Sequence, residues 1–386
     1  MLSVDCQKNR EECCGCSLCE NVCPAKAITM SFSHGKLLPQ IDNTRCKSCG
    51  ICYRVCEASK HELRLQKTTN TFIGKSKNKN VLDSSSSGGI FYEIASKFIK
   101  NGGIVYSSFS KDGFSCETIR CVNDLTLIST LKSKYVQSYQ GGIFLSLSKD
   151  LEEGKKVLIC TTPCYLNAIK EYLRIKKISD SNLFCIDFLC SGFIKEDLLA
   201  KAKNAISSYT KSDIKSIVYR DKKRIGWGEY KFIFESNKGS IIDSTLYDFF
   251  AMQYATNQNC FDCPFAKEDR VGDITLGDAW GRKKYKGYVE DNVGTSVIYL
   301  NSSKGTELMD AIDAEIVEQD ANGRYLEPRY CSNSEKPCDY SQFYVDFNKL
   351  NYIDLIFRYT YDDSFGTKMK KLLYKFKIKK LWKTTK

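Results

Sequence analysis

Histidine is nearly absent from this chain: its 386 residues contain only His34 and His61. A histidine-based triad or a His-rich metal site is therefore not expected beyond residue 61. His34 stands in the hairpin-like stretch SFSHGK, where a turn role outweighs a ligand role. No apolar run reaches the length of a membrane-spanning helix. The opening residues, MLSVDCQKNREECC, lack the apolar centre of a secretory leader. Both absences lead to the expectation of a cytoplasmic protein. There is no G-x-G-x-x-G and no Walker A run, so neither a Rossmann nicotinamide site nor P-loop hydrolysis is supported. Acidic residues are missing from 368–386, where nine lysines account for nine of the twelve net positive charges. The remainder is nearly neutral, and no nucleic-acid partner is expected.

Cysteine is abundant, with twenty residues. Cys13, Cys16, Cys19 and Cys23 repeat the spacing of Cys46, Cys49, Cys52 and Cys56, and Pro24 follows the first run. This is the C-x2-C-x2-C-x3-C pattern of two-cluster ferredoxins. Three thiolates at i, i+3 and i+6 wrap one iron–sulfur cube in a tight loop, and the fourth reaches the other cube. Cys13, Cys16, Cys19 and Cys56 are thus assigned to one 4Fe-4S cluster, and Cys46, Cys49, Cys52 and Cys23 to a second. Zinc knuckles favour paired C-x2-C motifs with a longer gap, so the triple runs speak against them. A reducing cytosol, rather than disulfide formation, suits thiols kept for clusters.

The fold class expected is α+β or α/β, a two-cluster ferredoxin-like module (1–66) followed by a mixed-sheet body. In the module, AITMSFSHGKLLPQID alternates like a hairpin around His34-Gly35. Residues 67–85 read as a polar linker. In the first part of the body (86–155), Ile90, Phe91, Ile94, Ala95, Phe98 and Ile99 form one helical face, Asn101-Gly102-Gly103 stops it, and Ile104–Phe109 reads as a strand. In the second part (156–330), KVLIC and LFCIDFL are short apolar runs, each followed by a loop and a helical pattern, as buried strands in an α/β arrangement are. Residues 214–220, 230–235 and 240–243 read as further, antiparallel strands. Residues 331–386 lose this regularity.

Four further cysteines occupy suggestive places. Cys164 follows the KVLIC strand at the start of a helical pattern, and Cys190 ends the next strand. Cys260 and Cys263 form a C-x2-C pair before Pro264. Two strand ends and one loop can converge on a third 4Fe-4S cluster, with a helix dipole favouring the Cys164 thiolate. Ordinary buried cysteines or a zinc site fit the same spacing. Cys160 and Cys185 fall within strands and read as core. Cys6, Cys14, Cys116, Cys121, Cys331 and Cys338 carry no assigned role.

Several signatures occur in order: Cys13-Cys14-Gly15-Cys16, Ser86-Ser87-Gly88-Gly89, Ser133 to Ser138 (SKYVQS), Thr162-Pro163-Cys164, Leu189-Cys190, Arg220-Asp221-Lys222, Gly226-Trp227 and Asp273 to Gly281 (DITLGDAWG). By these, roughly residues 10 to 300 resemble the beta-subunit family of coenzyme F420 hydrogenases and dehydrogenases, in the version with an N-terminal dicluster ferredoxin domain. The resemblance implies an iron–sulfur flavoprotein that binds FAD and exchanges electrons between clusters, flavin and a substrate. In the founding enzymes that substrate is a deazaflavin. Related members reduce other molecules with reduced ferredoxin as donor, and bacterial relatives occur among polysaccharide-synthesis proteins. It also implies cluster ligation by Cys164, Cys190, Cys260 and Cys263, and a position near cluster or flavin for Asp278 and Trp280. Three departures stand out: Thr161 replaces the glycine of Gly-Thr-Pro-Cys, Ser191 replaces the histidine of Cys-His-Gly, and Glu57 replaces a proline. Without that histidine, a proton must come from another group or the substrate must differ.

For the flavin pyrophosphate, the resemblance favours Ser86, Ser87, Gly88 and Gly89, a small-residue loop opening a helix whose N–H groups attract an anion. A serine-rich linker ending in an N-cap is the plainer reading. Lys134, Tyr135 and Gln137 add a charge, a stacking surface and an amide. The tail, 367–386, mixes lysine with Met369, Leu372, Leu373, Phe376, Leu381 and Trp382. It can rest on anionic lipid at the inner face of a membrane, dock on the body or stay unfolded. The expected function is an oxidoreductase drawing on a ferredoxin or another redox protein to serve a small-molecule substrate. The alternative is a non-catalytic electron-transfer subunit of a larger hydrogenase or dehydrogenase.

Overall fold

The computed structural model describes residues 12–61, 63–310, 312–361, 381–382 and 384–385. In the module, β1 (Ile28–Ser33) pairs antiparallel with β2 (Lys36–Ile41). His34 (φ 53°) and Gly35 (φ 74°) are both left-handed, the two-residue turn whose twist matches a hairpin. The expected hairpin and the turn role of His34 are both found. The hairpin tip abuts the helix Glu196–Thr210, where Glu196 N–H donates to Gly35 O at 2.9 Å. A Cβ on Gly35 would fall 2.4 Å from Asp197 Oδ1.

A nine-stranded mixed sheet forms the body. Its strands in chain order are β3 (Asn70–Ser76), β4 (Ile104–Phe109), β5 (Cys116–Cys121), β6 (Ser138–Tyr139), β7 (Val157–Cys160), β8 (Leu183–Phe188), β12 (Ile274–Asp278), β13 (Ser296–Leu300) and β14 (Ala314–Gln319). Their spatial order is β14-β3-β13-β12-β8-β7-β4-β5-β6, and the central β12, β8, β7 and β4 are mutually parallel. A second sheet takes β15 (Thr384–Thr385), β11 (Gly239–Asp243), β10 (Phe232–Ser236) and β9 (Ile214–Tyr219), all antiparallel.

Period-two alternation divides the central strands between two cores. Leu158, Phe184 and Ile186 face the helix Ile90–Lys100 with its Ile90, Ile94, Ala95 and Phe98. Val157, Ile159, Leu183 and Cys185 face the helices Ile143–Glu152 and Pro163–Lys176. Leu18 and Val22, from the module helix Leu18–Val22, and Val55, from Ile51–His61, lie in this second core. The ferredoxin-like module therefore shares apolar packing with the body.

Two expectations are corrected. Residues 67–85 are not a linker: they supply β3, buried at Ile73 and paired on both edges, and the helix Lys79–Ser84. Their polar composition reflects hydrogen-bonded sheet positions, with Ile73 and Val81 as buried apolar anchors. The two parts of the body that meet at 155/156 share one sheet, which draws strands from both sides of that boundary. Residues 331–361 are not irregular throughout, since helices Tyr340–Lys349 and Tyr352–Tyr359 place Phe343, Phe347, Leu355 and Ile356 in the core beside the second sheet. Most of the expected lipid-facing tail, including Met369, Leu372, Leu373 and Phe376, lies outside the described residues. Trp382 is buried, stacks near Tyr352 and donates its indole N–H to Asp243 Oδ1 at 2.7 Å. Among the described residues, no helix is long and apolar enough to cross a membrane.

Candidate functional site

Sheets with parallel strands gather ligands beyond the strand carboxyl ends. Here the chain leaves β7 through Thr161-Thr162 and enters the helix Pro163–Lys176 with Cys164 in its first turn. It leaves β8 through Leu189 to Cys190, and Gly192 (φ 96°) then turns it back against Cys260, whose Cβ would lie 3.7 Å from a Cβ at Gly192. At the same end of the sheet, one row pairs Asp278 of β12 with Ser296 of β13, and Ser296 with Gly74 of β3. Gly88 seats the serine–glycine loop on that row: its N–H donates to Ser296 Oγ at 3.0 Å, and a Cβ there would stand 2.3 Å from Gly74 O.

Cys190 comes within electrostatic reach of Cys164, Cys260 and Cys263, and Cys260 of Cys263. Burial pushes the Cys190 thiol up to about 11 and raises those of Cys260 and Cys263 as well. The thiol of Cys164 is raised first by its hydrogen bond with Cys14 and then by burial. Gathering four such sulfurs as thiolates demands cationic compensation, which bound iron supplies. Local donors already address the sulfurs: Gly192 N–H lies 3.4 Å from Cys190 Sγ, and the Thr162 hydroxyl 3.4 Å from Cys164 Sγ. Among the described residues, no three His, Cys, Asp or Glu side chains stand close enough to hold a single metal ion. Four cysteines are a donor set chemically suited to an iron–sulfur cube, as they are to zinc.

A buried ion pair fixes the loop after the C-x2-C pair. Arg270 and Asp187 are 2% and 0% exposed and stand 3.5 Å apart. Arg270 Nη1 donates to Phe265 O at 2.9 Å, while Asp187 accepts from Thr275 Oγ1 at 2.5 Å and from Gly272 N at 3.0 Å. The arrangement ties residues 265–275 to the end of β8, next to Cys190.

In the module, Cys19 is raised by burial and then by the nearby charges of Cys13, Cys56 and Cys52. The fourth cysteine of the second run is thus brought to the loop of the first. Backbone N–H groups reach Cys13, Cys23 and Cys46 at 3.4–3.5 Å. Cys49 is exposed, and Cys46 and Cys52 are half-buried, on a more open side of the module.

The strap 133–137 joins the two halves of the site, its odd-numbered residues touching successive parts. Ser133 N–H donates to Ser86 Oγ at 2.7 Å. The Tyr135 ring packs 5.0 Å from Phe250, and its hydroxyl lies against Arg220. Gln137 accepts from Leu37 N and donates to Cys14 O, both at 2.7 Å. The expected flavin amide is thus committed to holding the module. Lys134 donates to the carbonyls of Thr130 and Leu131, and burial lowers its ammonium to about 8.

Beside the serine–glycine loop stands an aromatic and cationic cluster. Lys222 donates to Ser87 O and Val293 O, and burial lowers it to about 8. Arg220, 8% exposed, pairs through Nη1 with Asp278 and lies 5.0 Å over the Trp280 ring. Trp280 stacks on Trp227 at 4.8 Å and 8°. Arg220 Nη2 and Trp227 Nε1 are buried donors without a protein acceptor. Sequence reasoning noted Arg220, Lys222 and Trp227 only as signatures, and placed Asp278 and Trp280 near cluster or flavin only through the resemblance. It missed Asp187, although an aspartate inside LFCIDF is a readable sign of a buried ion pair.

Residues 154–322 match the family described as the C-terminal part of the coenzyme F420 hydrogenase/dehydrogenase beta chain. Residues 7–29, which hold the first cysteine run, match the 4Fe-4S binding domain. Over 52 residues the chain is 40% identical to a subunit of the ion-translocating oxidoreductase complex of Methanosarcina acetivorans, covering 14% of this chain and only 18% of that relative. A solved chain of the F420-reducing NiFe hydrogenase complex from Methanosarcina barkeri aligns with TM-score 0.47 and 14% identity, over 66% of this chain and 83% of its own. Residues 154–322 are thus similar to the C-terminal part of coenzyme F420 hydrogenase/dehydrogenase beta subunits, and residues 7–29 to a 4Fe-4S binding domain.

Proposed function

We propose that the chain is an iron–sulfur flavoenzyme that takes electrons from an external ferredoxin-like protein and serves a small organic substrate. The eight module cysteines hold two 4Fe-4S clusters, and Cys164, Cys190, Cys260 and Cys263 hold a third. Bound clusters supply single electrons, and bound FAD supplies the two-electron exchange that most organic reductions require. The observation that carries this reading is the single row Asp278–Ser296–Gly74, which sets the serine–glycine loop at the same strand ends as Cys164 and Cys190.

The residues divide the work by their chemistry. The first turn of the helix Ile90–Lys100 offers unpaired N–H groups to a pyrophosphate. Lys222 braces the loop at Ser87 O and adds positive charge. Arg220 Nη2 and Trp227 Nε1 offer hydrogen bonds to a ring oxygen or nitrogen, while Trp280 and Tyr230 shield that place from water.

The curated relative is named as one part of a multi-subunit complex, which favours a second reading: an electron-relay subunit without its own substrate. Iron and released flavin per chain, measured on protein purified without oxygen, separate the two. About twelve irons and one FAD are expected. About eight irons without flavin would overturn the enzyme reading in favour of the relay.

A further inference from the structure

Cys14 belongs to neither cysteine run, yet it is built between two groups of ligands. Its thiol is in hydrogen-bond contact with Cys16 on one side and Cys164 on the other. The backbone around it is anchored to the body twice. Gln137 Nε2 donates to Cys14 O at 2.7 Å, and Asn257 Nδ2 to Cys13 O at 3.4 Å. Asn257 also caps the short helix Gln258–Cys260, so the loop holding Cys260 and the loop holding Cys14 share one side chain. Gly15 (φ 74°) permits the approach, because a Cβ there would stand 2.1 Å from Gln137 Nε2. Tyr165, buried, closes the same spot beside Cys164, Cys14, Cys16 and the Gln137 amide.

We propose that Cys14 is a positioning residue, a sulfur bridge whose single S–H proton is shared in a three-centre hydrogen bond between the ligand thiolates of Cys16, in the first module cluster, and Cys164, in the body cluster. This rests on the third-cluster reading above. A ligand set of Cys13, Cys16, Cys19 and Cys56 is complete without Cys14, as is the set of Cys164, Cys190, Cys260 and Cys263. Cys14 therefore acts through Cys16 and Cys164. A hydrogen bond to a ligand sulfur stabilises the reduced, more negative cluster and raises its potential. One side chain would thus tune two clusters and supply the contact across which an electron passes from module to body.

The test compares the full-length protein with Cys14→Ala and Cys14→Ser, all purified without oxygen. Iron and acid-labile sulfide are measured first, then midpoint potentials by titration followed by electron paramagnetic resonance. About twelve irons are expected in all three proteins. In the alanine variant two of the three potentials move down, and the serine variant, whose hydroxyl still donates, recovers most of the shift. Loss of about four irons in the alanine variant would make Cys14 a ligand and overturn the bridge. Three unchanged potentials at full iron would overturn it as well. About eight irons in the unaltered protein would overturn the third cluster itself, and the bridge with it; that failure is seen before any variant is made.

Discussion

In the module, the eight proposed ligands lie in two tight loops, Cys13 to Cys23 and Cys46 to Cys56; in the body, the four proposed ligands stretch from Cys164 to Cys263. The module's loops set most of their own geometry, with backbone N–H groups of the same loop aimed at the sulfurs. The body's cysteines meet only because β7 and β8 are adjacent and parallel, and because the Arg270–Asp187 pair pulls the segment after the C-x2-C pair onto β8. A loop-built site tolerates damage to the sheet. A topology-built site does not.

The sharpest way to break this contrast is Asp187→Ala. It leaves Arg270 buried and unpaired, and loss of one partner of a buried pair costs about 3–5 kcal/mol. Urea denaturation should show that loss, and the surviving folded protein should lack the body's share of iron while keeping the module's. Equal depletion of both shares would mean that the two sites form one cooperative unit.

A second substitution probes the seam between them. Leu18 is 1% exposed in the core that includes Ile159 and Leu166. Leu18→Ala should cost about 3 kcal/mol and open the peptide between the helix Ile51–His61 and β3 to added protease. Protection equal to that of the unaltered protein would show that the module does not depend on this packing.

The contrast also governs what could be read from the chain. The C-x2-C-x2-C-x3-C runs and the His34-Gly35 hairpin were legible because ligand spacing and turn chemistry are local. Strands β4, β7 and β8 were legible from apolar runs with clear stops. The convergence of Cys190 with Cys260 was suggested by a strand end and a C-x2-C pair but left open until family likeness favoured it, since no local pattern encodes which strand ends become neighbours. The roles of Gln137 and Cys14 escaped detection because both depend on how the module seats against the body. Strand β3 was hidden by its polar residues: Thr71 and Ser76 are buried by pairing on both edges rather than by apolar character.

The smallest expected effect sharpens the body's side through pH. Glu327 accepts from Gly281 N–H at 3.0 Å and from the Tyr285 hydroxyl at 2.6 Å, and so holds the turn that carries Trp280. Its Oε2 is buried without a partner, and burial raises the carboxyl to about 6 from the usual 4.5. Below the ordinary carboxyl range both folded and unfolded chains hold this proton, and the stabilisation is fully present. As pH rises through about 6 the folded protein must release the proton into an unsolvated place, so stability falls across that window, by about 2 kcal/mol, and is flat above it. Urea midpoints of the iron-loaded protein between about pH 4 and 7 should show this decline, and Glu327→Gln should flatten it, because a neutral amide keeps an acceptor for Gly281 and Tyr285 without titrating. An identical decline in the glutamine variant would assign the pH dependence elsewhere. The aromatic end of the body would then be held by geometry alone, as the module's loops are.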